Sequence, residues 1–243
     1  MNEQAKKRIQ IALALVLVVA GGRAGYILYQ RHEDNLAAEK QEQAKNTGFS
    51  NADYYVTPKK LYPYDVKSAQ ELTKQPVWVK EGYKYNYYRY VPVVKKVDFA
   101  HEMGLLGPIE RLDIKDVIAV AAPGGRRQVV ALFNKDQHDY AVPIGFETGD
   151  DSYKIYSDEM FYVQDPHALY KHWPADVWHA VEQHEVKPGM NELQADFAVG
   201  MGSLDAVSSS VERTLRYANG GKPLVVIFRA GKAAEIKPGT PSS

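Results

Sequence analysis

An apolar run near the start of the chain constrains its fold more than any other feature. Ile9–Tyr29 is 21 residues long and mostly apolar. As a helix it spans about 31 Å, at ~1.5 Å per residue, which matches the hydrocarbon core of a bilayer. Lys6, Lys7 and Arg8 precede it, and by the positive-inside rule residues 1–8 stay in the cytoplasm. The sequence therefore predicts a single transmembrane anchor, with the bulk of the chain exported.

Small residues inside this run indicate a helix-packing surface. Gly21 and Gly25 form a G-x-x-x-G pair, which allows a second helix to approach closely, and Arg23 lies between them. An arginine at this depth costs several kcal/mol unless it pairs or reaches the headgroups. Two interpretations stay open. Either Arg23 snorkels and the glycines are incidental, or Gly21, Arg23 and Gly25 pack against another membrane subunit.

A cleaved signal peptide is the alternative to an anchor. The basic start and the ten apolar residues 11–20 fit a secretory signal. Apolar character resumes at Tyr26–Tyr29, however, and no clean A-x-A site follows. These features favour an uncleaved anchor.

Composition excludes several classes of function. Lys plus Arg and Asp plus Glu are 30 each, and this zero net charge argues against nucleic acid as a partner. The chain has no cysteine, which excludes disulfides, thiol catalysis and a lipid attached through cysteine.

The predicted fold class is α+β, in which a β-rich barrel-like or sandwich-like domain is followed by a helical and antiparallel module. The predicted divisions are a stub (1–8), the anchor (9–29), a polar linker (30–52), the β-rich domain (53–164), the second module (165–238) and a disordered tail (239–243).

A tyrosine-rich stretch begins at Gly82 with the letters GYKYNYYRYVPVV. Period-two spacing predicts a strand with Tyr83, Tyr85 and Tyr87 on one face and Tyr88 and Tyr90 on the other. The first three rings either pack against neighbouring strands or form a stacking platform for a glycan.

Apolar runs around tight turns predict further strands. Asp116–Ala121 and Gln128–Phe133 flank the sequence Pro-Gly-Gly-Arg at 123–126, which is typical of a hairpin. A third run, Asp139–Ile144, contains Pro143, which predicts an edge strand or a strand end.

Four histidines lie close together in sequence: His167, His172, His179 and His184. Their spacing is poor for zinc, since the last two are about 140° apart around a helix. No nucleophile elbow, phosphate loop or isolated carboxylate pair occurs. We therefore expect no metal, no cofactor and no enzyme activity.

The C-terminal third predicts two helices followed by about three antiparallel strands. Asn191 and Gln194 form a capping box, Gly200 ends the helix, and Arg213–Tyr217, Leu224–Phe228 and Ala233–Ile236 are the strands.

This order, from about Asp165 to Ile236, resembles the SmpA/OmlA (BamE-like) module of outer-membrane assembly lipoproteins. The matching residues are Pro188-Gly189-Met190, Gly200–Gly202, Tyr217, Phe228, Gly231 and Ile236. The chain departs from the pattern because it lacks the lipidated cysteine and the proline after the glycine break. The resemblance implies a fold and a general role in envelope protein assembly.

We expect from these features a non-enzymatic accessory, assembly or scaffolding component of a membrane or cell-envelope complex. Its expected location is the bacterial inner membrane, with the N-terminus in the cytoplasm and the bulk in the periplasm. Its partners would be the membrane and other envelope proteins. The alternative is an envelope glycan (peptidoglycan) binding module that uses the tyrosine strand.

Overall fold

The computed structural model describes residues 51–149, 152–205 and 212–240 and has an α+β architecture rich in strands. Its helices are α1 (Asn51–Tyr54), α2 (Val66–Ala69), α3 (Ser157–Met160), α4 (Pro166–Leu169), α5 (Ala175–Glu182) and α6 (Glu192–Val199), with 3-10 segments at Gln70–Lys74, Pro92–Val94 and Asn219–Gly221. Its strands are β1 (Val77–Val79), β2 (Asn86–Val91), β3 (Lys96–Leu105), β4 (Arg111–Leu112), β5 (Ile114–Ala121), β6 (Arg127–Lys135), β7 (His138–Gly149), β8 (Ser152–Ile155), β9 (Phe161–Tyr162), β10 (Ser203–Leu204), β11 (Glu212–Tyr217), β12 (Leu224–Arg229) and β13 (Lys232–Pro238).

The predicted anchor, with Gly21, Arg23 and Gly25, lies outside the described residues. Within the described ranges, no helix has both the length and the apolar character needed to cross a bilayer.

A six-stranded antiparallel sheet forms the larger part of the fold. Its order is β3-β2-β7-β6-β5, and β8 pairs with the later part of β7. The predicted hairpin is confirmed as β5 and β6, and Gly124 and Gly125 adopt the positive φ of its turn. Asp136 and Gln137 also have positive φ and make the tight turn between β6 and β7.

The prediction that Pro143 marks an edge strand or a strand end is wrong. It lies within β7, which has β6 on one side and β2 and β8 on the other. The β6–β7 register shifts between Val129 and Val130, the partner of Pro143. On the opposite side, β2 pairs as far as Ala141 and β8 pairs from Gly145 onward. The proline is tolerated because the ladders are already interrupted around it.

Both faces of this sheet are buried, as alternation along β6 shows. Val129, Ala131 and Phe133 enter a first core with residues of α3 and the Gln70–Lys74 segment. Val130 and Leu132 join a smaller cluster on the other face. Residues of the outer strands β3 and β5 also belong to that cluster, and Phe99 of β3 lines one recess together with Pro123 of the β5–β6 turn, so this face of the sheet is concave.

A small three-stranded sheet, in the order β4-β1-β9, joins the first core to a second one. Val77 and Val79 of β1 enter the first core, whereas Trp78 packs against the second. Successive residues of a strand point to opposite faces, so three residues of β1 connect both cores.

The second core lies between helices α4–α6 and the meander β10-β11-β12-β13. The capping box predicted at Asn191 and Gln194 is present, with reciprocal hydrogen bonds of 2.8 Å and 2.9 Å. Gly200, with φ 84°, ends α6 as predicted. Four of the aromatic rings in this core contact one another: Tyr170, Trp173, Trp178 and Phe197.

Two of the outer sheet edges carry hydrogen bonds from segments that are not strands. The Gln70 side-chain amide donates to the Val117 carbonyl of β5 at 2.8 Å. On β13, Ala233 exchanges backbone hydrogen bonds with Gly189 and Met190. These bonds satisfy backbone groups that a bare edge would expose.

The buried Asp53 carboxylate joins the start of the described chain to the second core. It accepts hydrogen bonds from the Trp173 indole (2.6 Å), the Asn191 amide (2.9 Å) and the His172 ring Nε2 (2.6 Å). Its side chain is fully buried. A carboxylate taken out of water is stable only when donors replace its hydration, and these three do so.

We expect Asp53→Ala to lower the free energy of unfolding by roughly 3 kcal/mol or more, because it leaves the indole and amide donors buried without this acceptor. Urea unfolding followed by tryptophan fluorescence measures the change. The control is Asp113→Ala, which removes an exposed ion pair with Arg111 and should cost less than about 0.5 kcal/mol. Similar losses for both variants would contradict the assignment.

Candidate functional site

The three tyrosines predicted to share a strand face do not share one. β2 begins only at Asn86, and Tyr83 lies before it in a turn with φ 61°. The Tyr83 ring lies so close to Gly220 that a Cβ there would come within 2.8 Å of it. Alternation fails at Tyr83 because positive φ turns the chain out of the extended conformation.

Tyr85 and Tyr87 are half-buried and pack against the first core. The Tyr87 ring makes edge contacts with Phe133 and Tyr140, at centroid distances of 5.8 Å and 5.0 Å. Burial raises the pKa of Tyr85 above its ordinary value. The three rings therefore form no continuous exposed row on which a sugar chain could stack.

Tyr83 does line a cleft of about 480 Å³ between the end of β3 and helix α5. The charged groups of this cleft pair with one another. Lys135 Nζ lies 2.7 Å from Glu110 Oε1, and the other Glu110 oxygen accepts the Gly107 N–H. Burial lowers the pKa of Lys135, but the Glu110 carboxylate outweighs it, and the net pKa is raised. This mutual pairing is typical of structural groups and leaves little polar capacity for a ligand.

A second recess, the groove, lies on the curved face of the six-stranded sheet and has a volume of about 420 Å³. Its walls are the β5–β6 turn and the neighbouring strands β2, β3, β6 and β7. The lining residues are Tyr88, Phe99, Ala122, Pro123, Arg126, Arg127, Gln128 and Phe146. A shallower recess of about 340 Å³ continues from it and shares Arg126 and Phe146.

The groove combines half-buried aromatic rings with exposed, weakly engaged guanidinium groups. The Arg126 side chain makes no ion pair or hydrogen bond among the described residues. Within the same part of the chain, the Arg127 side chain reaches only the Tyr153 hydroxyl at 3.5 Å and the Ala119 carbonyl at 3.4 Å. No carboxylate of the described residues lines the groove, and Glu147 lies only in the adjoining recess. Such guanidinium groups bind a carboxylate in a fork while the rings take an apolar neighbour.

The sequence contains a signal for this groove that the prediction did not use. Alternation places Tyr88 on the face opposite Tyr87, and the structure agrees, since Tyr88 joins the second-face cluster. Arg126 follows directly from the Gly-Gly turn. That these two residues meet depends on the pairing of β2, β7 and β6, which no local pattern specifies.

A half-buried acidic cluster lies apart from both recesses. Glu192 and Asp196, one turn apart on α6, face Arg213 and Tyr217 of β11. Arg213 Nε lies 2.9 Å from Glu192 Oε1, and burial raises the pKa of Glu192 against the opposing effect of Arg213. The buried Tyr217 hydroxyl faces Asp196 without completing a well-aligned hydrogen bond. Burial raises the pKa of Asp196 to about 7.

Three of the four histidines have separate structural partners. His167 stacks on Trp178 with ring centroids 4.0 Å apart, and His184 Nδ1 lies 3.0 Å from the Ala198 carbonyl oxygen. His172 contacts Asp53, as described above. In the described ranges no group of three or more His, Asp or Glu side chains is arranged to hold a metal ion.

Comparison of the chain with known protein families, with curated proteins and with solved structures finds no match in any of the three.

We expect Asp196→Asn to remove a pH dependence of stability. The pKa of Asp196 is about 7 in the folded protein, against an ordinary 3.8. Between these values the unfolded chain releases its proton first, so the free energy of unfolding falls as pH rises, by on the order of 2–4 kcal/mol. The free energy of unfolding of the variant should not show this decline. At high pH the variant should therefore be more stable relative to the wild type than it is at low pH.

Urea unfolding at about pH 5 and about pH 8 measures the effect. The control is Asp113→Asn, at an exposed position. Its free energy of unfolding should fall with rising pH as that of the wild type does. If Asp196→Asn also declines in parallel with the wild type, the pKa assignment is wrong.

Proposed function

We propose that this chain is a non-enzymatic accessory or scaffolding component of a bacterial cell-envelope complex, held by a single N-terminal anchor, with its exported part binding a partner protein in the groove. The observation that carries this proposal is the pair Arg126 and Arg127 beside the half-buried rings of Tyr88, Phe99 and Phe146. Arginine and aromatic residues supply most of the energy at protein interfaces.

The chemistry of the groove favours a protein segment with an acidic residue beside an apolar one. The arginines offer several N–H donors, which a carboxylate accepts in pairs. The exposed ring faces are apolar surface that a Leu, Val or aromatic side chain would cover. Among the described residues, no nucleophile with an adjacent base lines the groove, so binding is the activity that its residues support.

The C-terminal region supports an assembly role by its arrangement. Helices α5 and α6 precede the antiparallel strands β11–β13, the order expected of a BamE-like module. The curved six-stranded sheet is compatible with the proposed barrel-like or sandwich-like first domain. Fold similarity indicates a site of interaction less strongly than side-chain chemistry does, so the groove carries the proposal.

We expect Arg126→Glu/Arg127→Glu to release the partner. The full-length protein is purified from its native membrane in mild detergent, and co-purifying subunits are quantified by mass spectrometry. Loss of the two guanidinium groups and gain of two carboxylates should lower partner recovery at least tenfold, because each buried charged hydrogen bond contributes roughly 1.5–3 kcal/mol.

The matched control is Lys115→Glu/Lys222→Glu, which makes the same change in net charge at exposed positions outside the groove. It should retain the partner. Equal recovery of the partner with the groove variant would contradict the proposal that the partner binds in the groove. If the protein purifies alone, and isolated cell wall retains it until Tyr83, Tyr85 and Tyr87 are replaced by Ser in a variant that still unfolds cooperatively, the glycan alternative is correct.

The anchor makes a separate prediction. If Gly21, Arg23 and Gly25 pack against a membrane subunit, Gly21→Leu and Arg23→Leu should each reduce co-purification of that subunit, because they block close approach or remove a polar contact. Ala12→Leu, placed earlier in the same run, is the control. Unchanged recovery in all three variants would mean that Arg23 only snorkels.

A further inference from the structure

A short segment after α6 lies over the half-buried carboxyl group of Asp196. Arg213 pairs with Glu192 at 2.9 Å, and Asp196 is left with no cationic partner among the described residues. The Gly202 N–H of the covering segment lies 3.4 Å from Asp196 Oδ1, which is long for a hydrogen bond. A carboxyl group held in this way is more stable with its proton than without it.

The other titratable groups around this carboxyl group do not stabilise its charged form. Glu192 lies one turn earlier on α6, and Glu81, from the segment after β1, adds a second negative charge. These two carboxylates engage the neighbouring cations, Arg213 and Lys84. The buried Tyr217 hydroxyl of β11 has no well-aligned hydrogen-bond partner in the described ranges. The cluster as a whole therefore favours the neutral form.

The covering segment, Met201–Asp205, is held to the fold by few contacts, and we name it the latch. Its two large apolar side chains, Met201 and Leu204, are 58% and 61% exposed, and none of its residues belongs to the second core. The two-residue strand β10 pairs with β11. Beyond it, the Asp205 N–H donates to the Thr214 carbonyl at 2.9 Å, and the Asp205 carboxylate pairs with Arg216 at 2.7 Å.

Glycines at the start of the latch suit a hinge. Gly200, with φ 84°, ends α6 directly before it. Gly202 lies against the Tyr217 ring, where a Cβ would come within 2.7 Å of the ring. Detachment of the latch would therefore admit water to Asp196 and to the Tyr217 hydroxyl and leave the second core in place.

We propose that the latch detaches from β11 when Asp196 loses its proton and closes again when Asp196 is protonated. In the closed state burial raises the pKa of Asp196 to about 7, against an ordinary 3.8 in water. The open state therefore releases its proton first. Between these two values opening becomes up to about tenfold more favourable per pH unit, and above them it levels off.

Opening uncovers the edge of β11 and leaves it free for strand pairing. The groove is not involved, so this inference is independent of the proposed function.

Hydrogen–deuterium exchange of the full-length protein in mild detergent measures the opening, with rates corrected for intrinsic exchange at each pH. The reporter is the Asp205 N–H, which bonds to Thr214 in the closed latch. We expect its protection to fall on the order of a hundredfold from about pH 5 to about pH 8. Low urea should change it little, because a local opening exposes little surface.

Asp196→Asn should keep the protection that the wild type has at about pH 5 at both pH values. The matched control is Arg216→Gln, which removes the ion pair with Asp205. It should lower protection at both pH values and keep their ratio.

Two results with the wild type alone would overturn the inference. One is protection of the Asp205 N–H that does not change with pH, and the other is a urea dependence equal to that of the β6 amides, which would mean global unfolding. A pH dependence that persists in Asp196→Asn and disappears in Glu192→Gln would also overturn it, because the proton would then belong to Glu192.

Discussion

The burial of one carboxylate governs how the described chain closes on itself. Asp53 precedes every strand of the described residues, yet three of its hydrogen-bond donors lie more than a hundred residues later, on His172, Trp173 and Asn191. A buried carboxylate without donors would cost several kcal/mol, so the segment before the first strand can settle only where these donors already meet. Asn191 also caps α6, so the same side chain begins a helix and holds the chain start. The chain thus acquires long-range order without any disulfide.

Local features of the fold could be predicted because their causes are local. The Gly124–Gly125 hairpin and the Asn191–Gln194 capping box each depend on a few consecutive residues, and both are present. Pro143 was misplaced because the bulge that accommodates it is a property of two neighbouring strands. The prediction for Tyr83 is wrong because its turn packs against glycines that are distant in sequence. The spacing of residues along the chain does not show such contacts. Asp53 carried no local signal at all.

The candidate site escaped prediction for a similar reason. Arg126 and Tyr88 are ordinary in their own segments: one follows a turn, and the other alternates along a strand. They become a groove only when β7 and β6 bring the two hairpins onto one curved face. The partners that the fold brings to a charged side chain also decide whether that side chain stabilises the structure. Lys135 has a raised pKa beside Glu110 and stabilises the fold, whereas the Arg126 side chain makes no ion pair or hydrogen bond among the described residues.

The hydrogen bonds along the sheet edges limit how the protein can grow into larger assemblies. β5 is bridged by Gln70, and β13 by the backbone of Gly189 and Met190, so the long edge without such cover in the described ranges is that of β3. Unlimited polymerisation through strand pairing requires two unpaired sheet edges on every molecule, so that each molecule can pair with two others. A molecule with one open edge can pair once and then stop. At high concentration, this asymmetry would terminate edge-to-edge growth at the dimer.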